Sequence, residues 1–150
     1  MKVLPPPLPT FGPLYALCPI GQRVTLDALI AIVDDHADAA NYLARLLKSA
    51  GYSVAAYTCG RQFFESSETP SLIILDVQMP DRDGIECLRQ IRAADPWQRV
   101  PVIMYSGDFD FARMQEAERL GAQEYVVKGT TQWQDFLKMI QRYDGVQIGA

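Results

Sequence analysis

The sequence alternates five times between a short apolar run and a longer segment with helical periodicity. The apolar runs begin near Ala28, Tyr52, Leu72, Val100 and Glu124, and a turn signal and a helix-like pattern follow each of them. Continuous aliphatic runs are typical of strands buried on both faces. Strands that alternate with helices predict a parallel sheet with helices on both faces. The chain is therefore predicted to be an α/β protein.

Composition limits the classes of protein that this chain can represent. Its 150 residues suit one domain, and a net charge of -4 without a basic patch argues against direct nucleic-acid binding. Cys18, Cys59 and Cys87 lie far apart, so neither a zinc site nor a disulfide framework is indicated. No apolar run approaches the roughly 20 residues that a membrane helix needs. A cytoplasmic setting and no membrane association are therefore expected.

The amino-terminal residues differ in composition from the rest of the chain. Residues 1–23 carry six prolines, which remove the amide donors that helices and strands require. We interpret residues 1–23 as a flexible Pro-rich extension, with a Pro-rich docking ligand as the alternative. A single domain is predicted over residues 24–145, followed by a short tail at residues 146–150.

Polar side chains stand where the predicted strands end. Asp34 and Asp35 follow the first strand, Asp76 ends the third, and Ser106 and Lys128 follow the fourth and fifth. Each has a structural alternative, because an acid or a serine can cap a helix and a lysine can be solvated. The carboxyl ends of parallel strands share one edge of the sheet, where open α/β sheets place their chemistry. We therefore expect these residues to converge.

This convergence creates an electrostatic problem that suggests a function. Two carboxylates ~4 Å apart repel by about 4 kcal/mol at a surface-like dielectric, and three are expected here. A divalent cation and a nearby ammonium would relieve that repulsion, and hard oxygen ligands suit Mg²⁺. Asp76 could then attack phosphorus and form an aspartyl phosphate. Lys128 and Ser106 would hold the phosphoryl oxygens.

With these motifs in place, the sequence resembles a response-regulator receiver domain of two-component signalling. The resemblance covers roughly residues 27–143 and rests on Asp34-Asp35, the loop from Asp76 to Gly84, Ser106-Gly107 and Tyr125 to Lys128. It implies a flavodoxin-like, doubly wound (βα)5 fold with a five-stranded parallel sheet in the order 2-1-3-4-5. It also implies a phosphoacceptor at Asp76. The implied Mg²⁺ ligands are Asp34, Asp35, Asp76 and the backbone carbonyl of Gln78.

The resemblance further implies how such a domain signals. Ser106 and Tyr125 match the hydroxyl and aromatic switch positions, which respond to phosphorylation. The phosphoryl group would come from a sensor histidine kinase or a histidine phosphotransfer protein. A downstream protein would bind the face made by the fourth helix, fifth strand and fifth helix, and a phosphorylation-dependent homodimer is possible. The domain would catalyse only its own phosphotransfer and autodephosphorylation.

Three positions near this site carry separate expectations. Gly129 stands where the family usually has proline, and we expect a trans Lys128–Gly129 peptide that uses glycine's wider φ range. Arg82 occupies a loop position that is more often apolar in the family. His36 is expected to be a solvent-facing loop residue, because Mg²⁺ prefers oxygen.

Two other classes of function remain as alternatives. A degenerate receiver would dock partners without being phosphorylated. An enzyme on the same fold is disfavoured, because the chain has no Gly-rich nucleotide loop. Gln78 also stands where a dehalogenase-like phosphatase needs a second aspartate. The sequence stops soon after the fifth predicted helix, so we expect either a stand-alone receiver or a fragment of a longer regulator.

Overall fold

The computed structural model describes residues 28–143, which contain five strands and five helices in strict alternation. The strands are β1 (Leu29–Val33), β2 (Ser53–Tyr57), β3 (Leu72–Asp76), β4 (Val102–Ser106) and β5 (Glu124–Val127). The helices are α1 (Ala37–Ser49), α2 (Gly60–Glu65), α3 (Gly84–Ala93), α4 (Phe111–Arg119) and α5 (Trp133–Tyr143). Each strand begins at, or within two residues of, the position that the apolar runs predict.

The five strands form one parallel sheet in the order β2-β1-β3-β4-β5. This order confirms the predicted flavodoxin-like topology. All five residues of β3 are buried, as its unbroken aliphatic run predicts, and β2 lies at an edge of the sheet. Because β1 and β3 are neighbours, the residues that end these two strands are also neighbours.

Helices cover both faces of the sheet and close two hydrophobic cores. On one face α1 and α5 contribute Leu43, Leu47, Phe136 and Ile140 to the core. On the other face α2, α3 and α4 contribute apolar side chains, including Phe63, Ile85, Leu88, Ile91 and Ala117. The alternating side chains of the central strands point into these two cores in turn. The rigid layer between them fixes the positions of the strand ends.

The first residue of α3, Gly84, packs closely against the end of β3. The Gly84 amide donates to the Val77 carbonyl over 2.7 Å. A Cβ at Gly84 would overlap the main-chain carbonyl of Asp76 and would lie 2.7 Å from Val77 Cα. The Asp83 carboxylate then caps α3 by accepting from the Ile85 amide over 2.9 Å. Glycine and an N-cap acid therefore determine how the chain leaves Asp76.

The predicted extension at residues 1–23 and the tail at residues 146–150 lie outside the described residues. The same holds for residues 24–27 and 144–145 of the predicted domain. Within the described part of the chain, no helix is long and apolar enough to cross a membrane.

Candidate functional site

Three carboxylates meet at the carboxyl edge of the sheet, as the strand ends predict. Asp34 and Asp35 follow β1, and Asp76 is the last residue of β3. Together with His36 they offer donor atoms that all lie within 4.8 Å of one another. Asp34 and Asp76 are each only 3% exposed, whereas Asp35 is half-buried. Two of the three acids are thus held largely away from solvent.

Lys128, directly after β5, reaches across the sheet edge to this acidic cluster. Its Nζ lies 2.8 Å from Asp34 Oδ2 and 3.8 Å from Asp76 Oδ2. Its backbone amide donates to the Ser106 carbonyl over 2.7 Å. The ammonium group is therefore bonded to one acid and lies within electrostatic reach of the other.

Two carboxylate oxygens of the cluster are buried without a hydrogen-bond partner among the described residues. They are Asp76 Oδ2 and Asp35 Oδ1. The second oxygen of Asp76 accepts from the Gln78 amide over 3.3 Å, which folds the loop around the carboxylate. A buried polar atom without a partner costs free energy and is rare in folded proteins. These two oxygens are therefore the acceptors of the cluster that remain available to a ligand.

The environment shifts the pKa values of Asp34 and Asp76 in opposite directions. Burial, followed by the negative charge of Asp34, raises the pKa of Asp76 to about 7, although Lys128 opposes this. Burial acts in the same direction on Asp34. However, its pKa is lowered overall because it accepts hydrogen bonds from Lys128 and from the His36 amide. Asp34 thus pairs with the lysine, and Asp76 is the acid that lacks a full counter-charge.

Ser106, the last residue of β4, is buried at the same edge. Its hydroxyl donates to the Asp108 carbonyl over 2.9 Å and accepts from the Asp108 amide over 3.2 Å. The Asp108 carboxylate in turn accepts from Gln78 Nε2 over 3.5 Å. The hydroxyl is therefore engaged with its own loop, and that loop contacts the residue two positions after Asp76.

Tyr125 does not belong to the acidic cluster. It pairs in register with Met104, two residues before the end of β4, and packs against the core beneath α3 and α4. Its hydroxyl is buried without a hydrogen-bond partner among the described residues. The ring borders a groove of about 280 Å³ between α4 and β5, lined by Met114, Ala117, Glu118, Ala122, Gln123, Glu124 and Tyr125.

The structural alternatives for the strand-end residues find little support. The N-cap position of α1 is His36, which makes no side-chain capping bond, and α4 is capped by Asp110. Neither the acidic pair nor Ser106 therefore serves as a helix cap. Lys128 is bonded to Asp34 and is not simply solvated.

The structure places several residues beside the cluster that the sequence did not indicate. Arg113 of α4 pairs with the α3 cap Asp83, with Nη1 2.8 Å from Oδ2. Both border an open cavity of about 370 Å³, lined by Asp35, Val77, Gln78, Met79, Pro80, Asp83 and Arg113. The ring of Tyr105 faces the Lys128 ammonium at 5.4 Å. These contacts join residues far apart in sequence, so no local pattern indicated them. His36 is different, because it directly follows the two acids in the sequence.

The two departures from the family pattern have different consequences. Among the described residues the cis peptide is Asp95–Pro96, so the Lys128–Gly129 bond is trans, and Gly129 has a φ of 84°. The expected use of glycine's wider φ range is thus confirmed. The Arg82 guanidinium donates to Gln90 over 2.6 Å and lies 5.7 Å from the Phe64 ring centre. Arg82 is therefore engaged with α2 and α3.

A doubly wound sheet with three acids and a lysine at its carboxyl edge matches a known family. The family model for the response regulator receiver domain matches residues 30–141. This chain belongs to the response regulator receiver domain family. Domains of this family are signalling domains that interact with histidine kinases and downstream effectors, and they are not conventional enzymes.

Individual relatives support the assignment. The chain is 32% identical over 118 residues to Protein RcaC of Microchaete diplosiphon, covering 75% of this chain and 18% of that protein. It is 34% identical over 101 residues to the transcriptional regulatory protein ZraR of Escherichia coli K12, covering 66% of this chain and 22% of that protein. The chain thus spans about a fifth of each relative.

The similarity to a solved structure also supports the family assignment. The chemotaxis protein CheY4 of Vibrio cholerae superposes with a TM-score of 0.71 at 27% identity, covering 78% of this chain and 98% of that one.

Proposed function

We propose that Asp76 accepts a phosphoryl group from a phosphohistidine of a sensor histidine kinase or a histidine phosphotransfer protein. The observation that carries this proposal is Asp76 Oδ2, which is buried, has no hydrogen-bond partner among the described residues, and lies 3.8 Å from Lys128 Nζ. A carboxylate oxygen without a competing donor is available as a nucleophile.

Bond changes at Asp76 follow from this arrangement. The carboxylate oxygen attacks phosphorus, the P–N bond of the phosphohistidine breaks, and the leaving imidazole takes up a proton. The new acyl phosphate is later hydrolysed by water, which restores the carboxylate and releases inorganic phosphate. Lys128 would contact a phosphoryl oxygen and offset its charge, and Ser106 would donate to another. The open cavity beside Asp35 leaves room for the transferred group and water.

The residues of the site fit a bound Mg²⁺. Three carboxylates converge, and two of their buried oxygens lack hydrogen-bond partners among the described residues. Hard oxygen donors with open positions for water and phosphate suit this ion. Asp34, Asp35, Asp76 and the Gln78 carbonyl would hold it. Bound there, Mg²⁺ would supply positive charge that offsets the charge on the phosphoryl oxygens.

A small phosphodonor tests this proposal directly. The full chain is incubated with phosphoramidate and Mg²⁺, and intact mass spectrometry measures the added phosphoryl group. We expect one group on the wild type, none after EDTA treatment and none on Asp76→Asn. The matched control is Asp81→Asn, because Asp81 is an exposed acid of the same loop and should behave as the wild type. An unmodified wild type would favour the alternative, a receiver that docks partners without phosphorylation.

The proposed output is a change at the α4–β5–α5 face, carried by Ser106 and Tyr125. To reach a phosphoryl oxygen, the Ser106 hydroxyl must leave its two bonds to Asp108. The buried Tyr125 hydroxyl lacks a partner among the described residues, which costs about 1–3 kcal/mol and favours another side-chain position. The groove between α4 and β5 would change with that ring and bind a downstream protein or a second copy.

Amide hydrogen exchange tests the switch. We expect BeF₃⁻, a phosphoryl analogue, with Mg²⁺ to change exchange in α4 and β5 of the wild type. In Ser106→Ala the analogue should still bind, but the change in α4 and β5 should be lost. Ser53→Ala, an exposed serine of β2, is the matched control and should respond as the wild type. An unaltered response in Ser106→Ala would contradict a role for this hydroxyl.

A further inference from the structure

Four side chains at this edge of the sheet offer potential metal-ligand atoms, and His36 is the one among them that the proposed mechanism does not use. Its side chain is 70% exposed, as expected for a loop residue, yet it faces the carboxylates. The Nδ1 atom lies 3.2 Å from Asp35 Oδ1 and 3.5 Å from Asp34 Oδ1. Its backbone amide donates to Asp34 Oδ1 over 2.9 Å, which ties the residue to the cluster.

The approach of the imidazole to Asp35 is not a hydrogen bond. Asp35 Oδ1 has no hydrogen-bond partner among the described residues, although Nδ1 is 3.2 Å away. Two neighbouring ligands of an octahedral ion with bonds of about 2.1 Å lie about 3.0 Å apart. The observed spacing is close to that value. The nitrogen and the carboxylate oxygen are thus placed as two ligands of one ion would be.

A second observation points to a cation at the same place. Asp76 is 3% exposed, and its Oδ2 is buried without a hydrogen-bond partner among the described residues. Asp34, Asp35, His36 and Asp76 each offer one ligand atom to the same space, within 4.8 Å. The cluster therefore combines three hard oxygens with one imidazole nitrogen.

An imidazole changes which cations such a site favours. Mg²⁺ prefers oxygen ligands, whereas Co²⁺, Ni²⁺ and Zn²⁺ bind imidazole well and follow the Irving–Williams order. We propose that His36 Nδ1 is an additional protein ligand that lets this site take first-row transition-metal ions in preference to Mg²⁺. This inference rests on the proposed function only in that both need a cation at the acidic cluster.

Metal binding without any phosphodonor tests the inference. The metal-stripped full chain is titrated with Co²⁺ at pH 8, and the visible absorption of the bound ion is followed. Mg²⁺ affinity is measured separately by calorimetry. The informative variant is His36→Phe, which keeps a ring and removes both nitrogens. Asp38→Ala is the control, because Asp38 is an exposed acid in the first turn of α1. Circular dichroism verifies that all variants are folded.

We expect His36→Phe to weaken Co²⁺ binding by about tenfold or more and to change the visible spectrum. Mg²⁺ affinity should change by less than about twofold, because its ligands are oxygens. An equal loss of affinity for Co²⁺ and Mg²⁺, or an unchanged Co²⁺ affinity, would contradict the proposed role of His36 as a ligand. If the wild type binds neither ion, both proposals fail. If Co²⁺ binding depends on His36 but no phosphorylation occurs with Mg²⁺, only the proposed function fails.

Discussion

The Lys128 ammonium nitrogen lies 5.4 Å from the centre of the Tyr105 ring. That ring is itself stacked on Phe136 of α5, with centroids 5.2 Å apart and planes at 22°. The same ammonium is bonded to Asp34 over 2.8 Å. A carboxylate and an aromatic face thus hold Lys128, in a chain where Gly129 replaces the proline that usually follows this lysine.

We expect Tyr105→Leu to slow phosphorylation by a small phosphodonor by about 2- to 30-fold. A cation–π contact contributes about 0.5–2 kcal/mol, and losing it leaves the bond to Asp34 as the remaining contact that positions the ammonium. Stopped-flow fluorescence or mass spectrometry at several times gives the rate. Tyr105→Phe keeps the aromatic face and should restore most of the rate. Equal slowing in both variants would show that the hydroxyl or general packing matters, and not the ring face.

Gly129 provides a second prediction about the loop that carries Lys128. Its φ of 84° suits glycine, and a Cβ there would meet no atom within 4 Å. Gly129→Ala should therefore cost about 1 kcal/mol of unfolding free energy from backbone conformation alone. Gly129→Asn should cost less, because asparagine tolerates this region. Chemical denaturation measures both, and equal costs for the two variants would contradict this explanation.

Gly129→Pro tests the same loop through function. Proline fixes φ near about −65°, so the turn after Lys128 must rebuild. We expect a changed phosphorylation rate or phosphate lifetime, although no reacting atom is altered. Unchanged kinetics would show that the position of the ammonium does not depend on residue 129.

Gly84 and Gly107 form a matched pair for the third prediction. A Cβ at Gly84 would overlap the Asp76 carbonyl, whereas a Cβ at Gly107 would meet nothing within 4 Å. Gly84→Ala should therefore destabilise the protein by about 2 kcal/mol or more and impair phosphorylation, because the strain falls on Asp76. Gly107→Ala should change the melting temperature little. Similar melting curves for both variants would contradict the tight contact at Gly84.

Sequence patterns predicted the α/β alternation and the acidic cluster because both depend on short-range signals, whereas the strand order was implied by the family resemblance. The aliphatic run before Asp76 identifies a buried strand, and parallel strands necessarily bring their carboxyl ends together. The contacts of Tyr105 with Lys128 and of Arg113 with Asp83 join residues more than 20 positions apart. Their formation depends on side-chain directions that no local pattern encodes. For His36, the exposure of the side chain was predicted correctly, but the approach of its imidazole to Asp34 and Asp35 was not predicted.

The fourth prediction concerns residues 1–23, whose high proline content predicts a flexible extension outside the folded domain. Removing them should leave Mg²⁺-dependent phosphorylation unchanged, because they are rich in proline and lie apart in sequence from the strand ends that carry the site residues. The rate with phosphoramidate and the melting temperature are compared for the full and shortened chains. A large fall in either would show that the amino-terminal residues contribute to the domain.

The fifth prediction uses the raised pKa of Asp76. Because burial and Asp34 raise this pKa from 3.8 to about 7, the folded protein keeps Asp76 protonated where the unfolded chain has ionised it. Its contribution to stability is therefore fully present below pH 3.8 and is lost as the pH rises through about 7. The groups that face it, Asp34, Lys128 and His36, remain in the variant that tests this effect.

Without metal, Asp76→Asn should be more stable than the wild type at pH 8, and the difference should shrink toward pH 4. At about 1.4 kcal/mol for each pK unit, the difference has an upper limit of about 4 kcal/mol. Denaturation in EDTA across this range measures it, with Asp81→Asn as an exposed control that should follow the wild type. Saturating Mg²⁺ should reduce the advantage, because it stabilises the ionised wild-type site. A constant difference at every pH would place the effect in packing and not in the charge of Asp76.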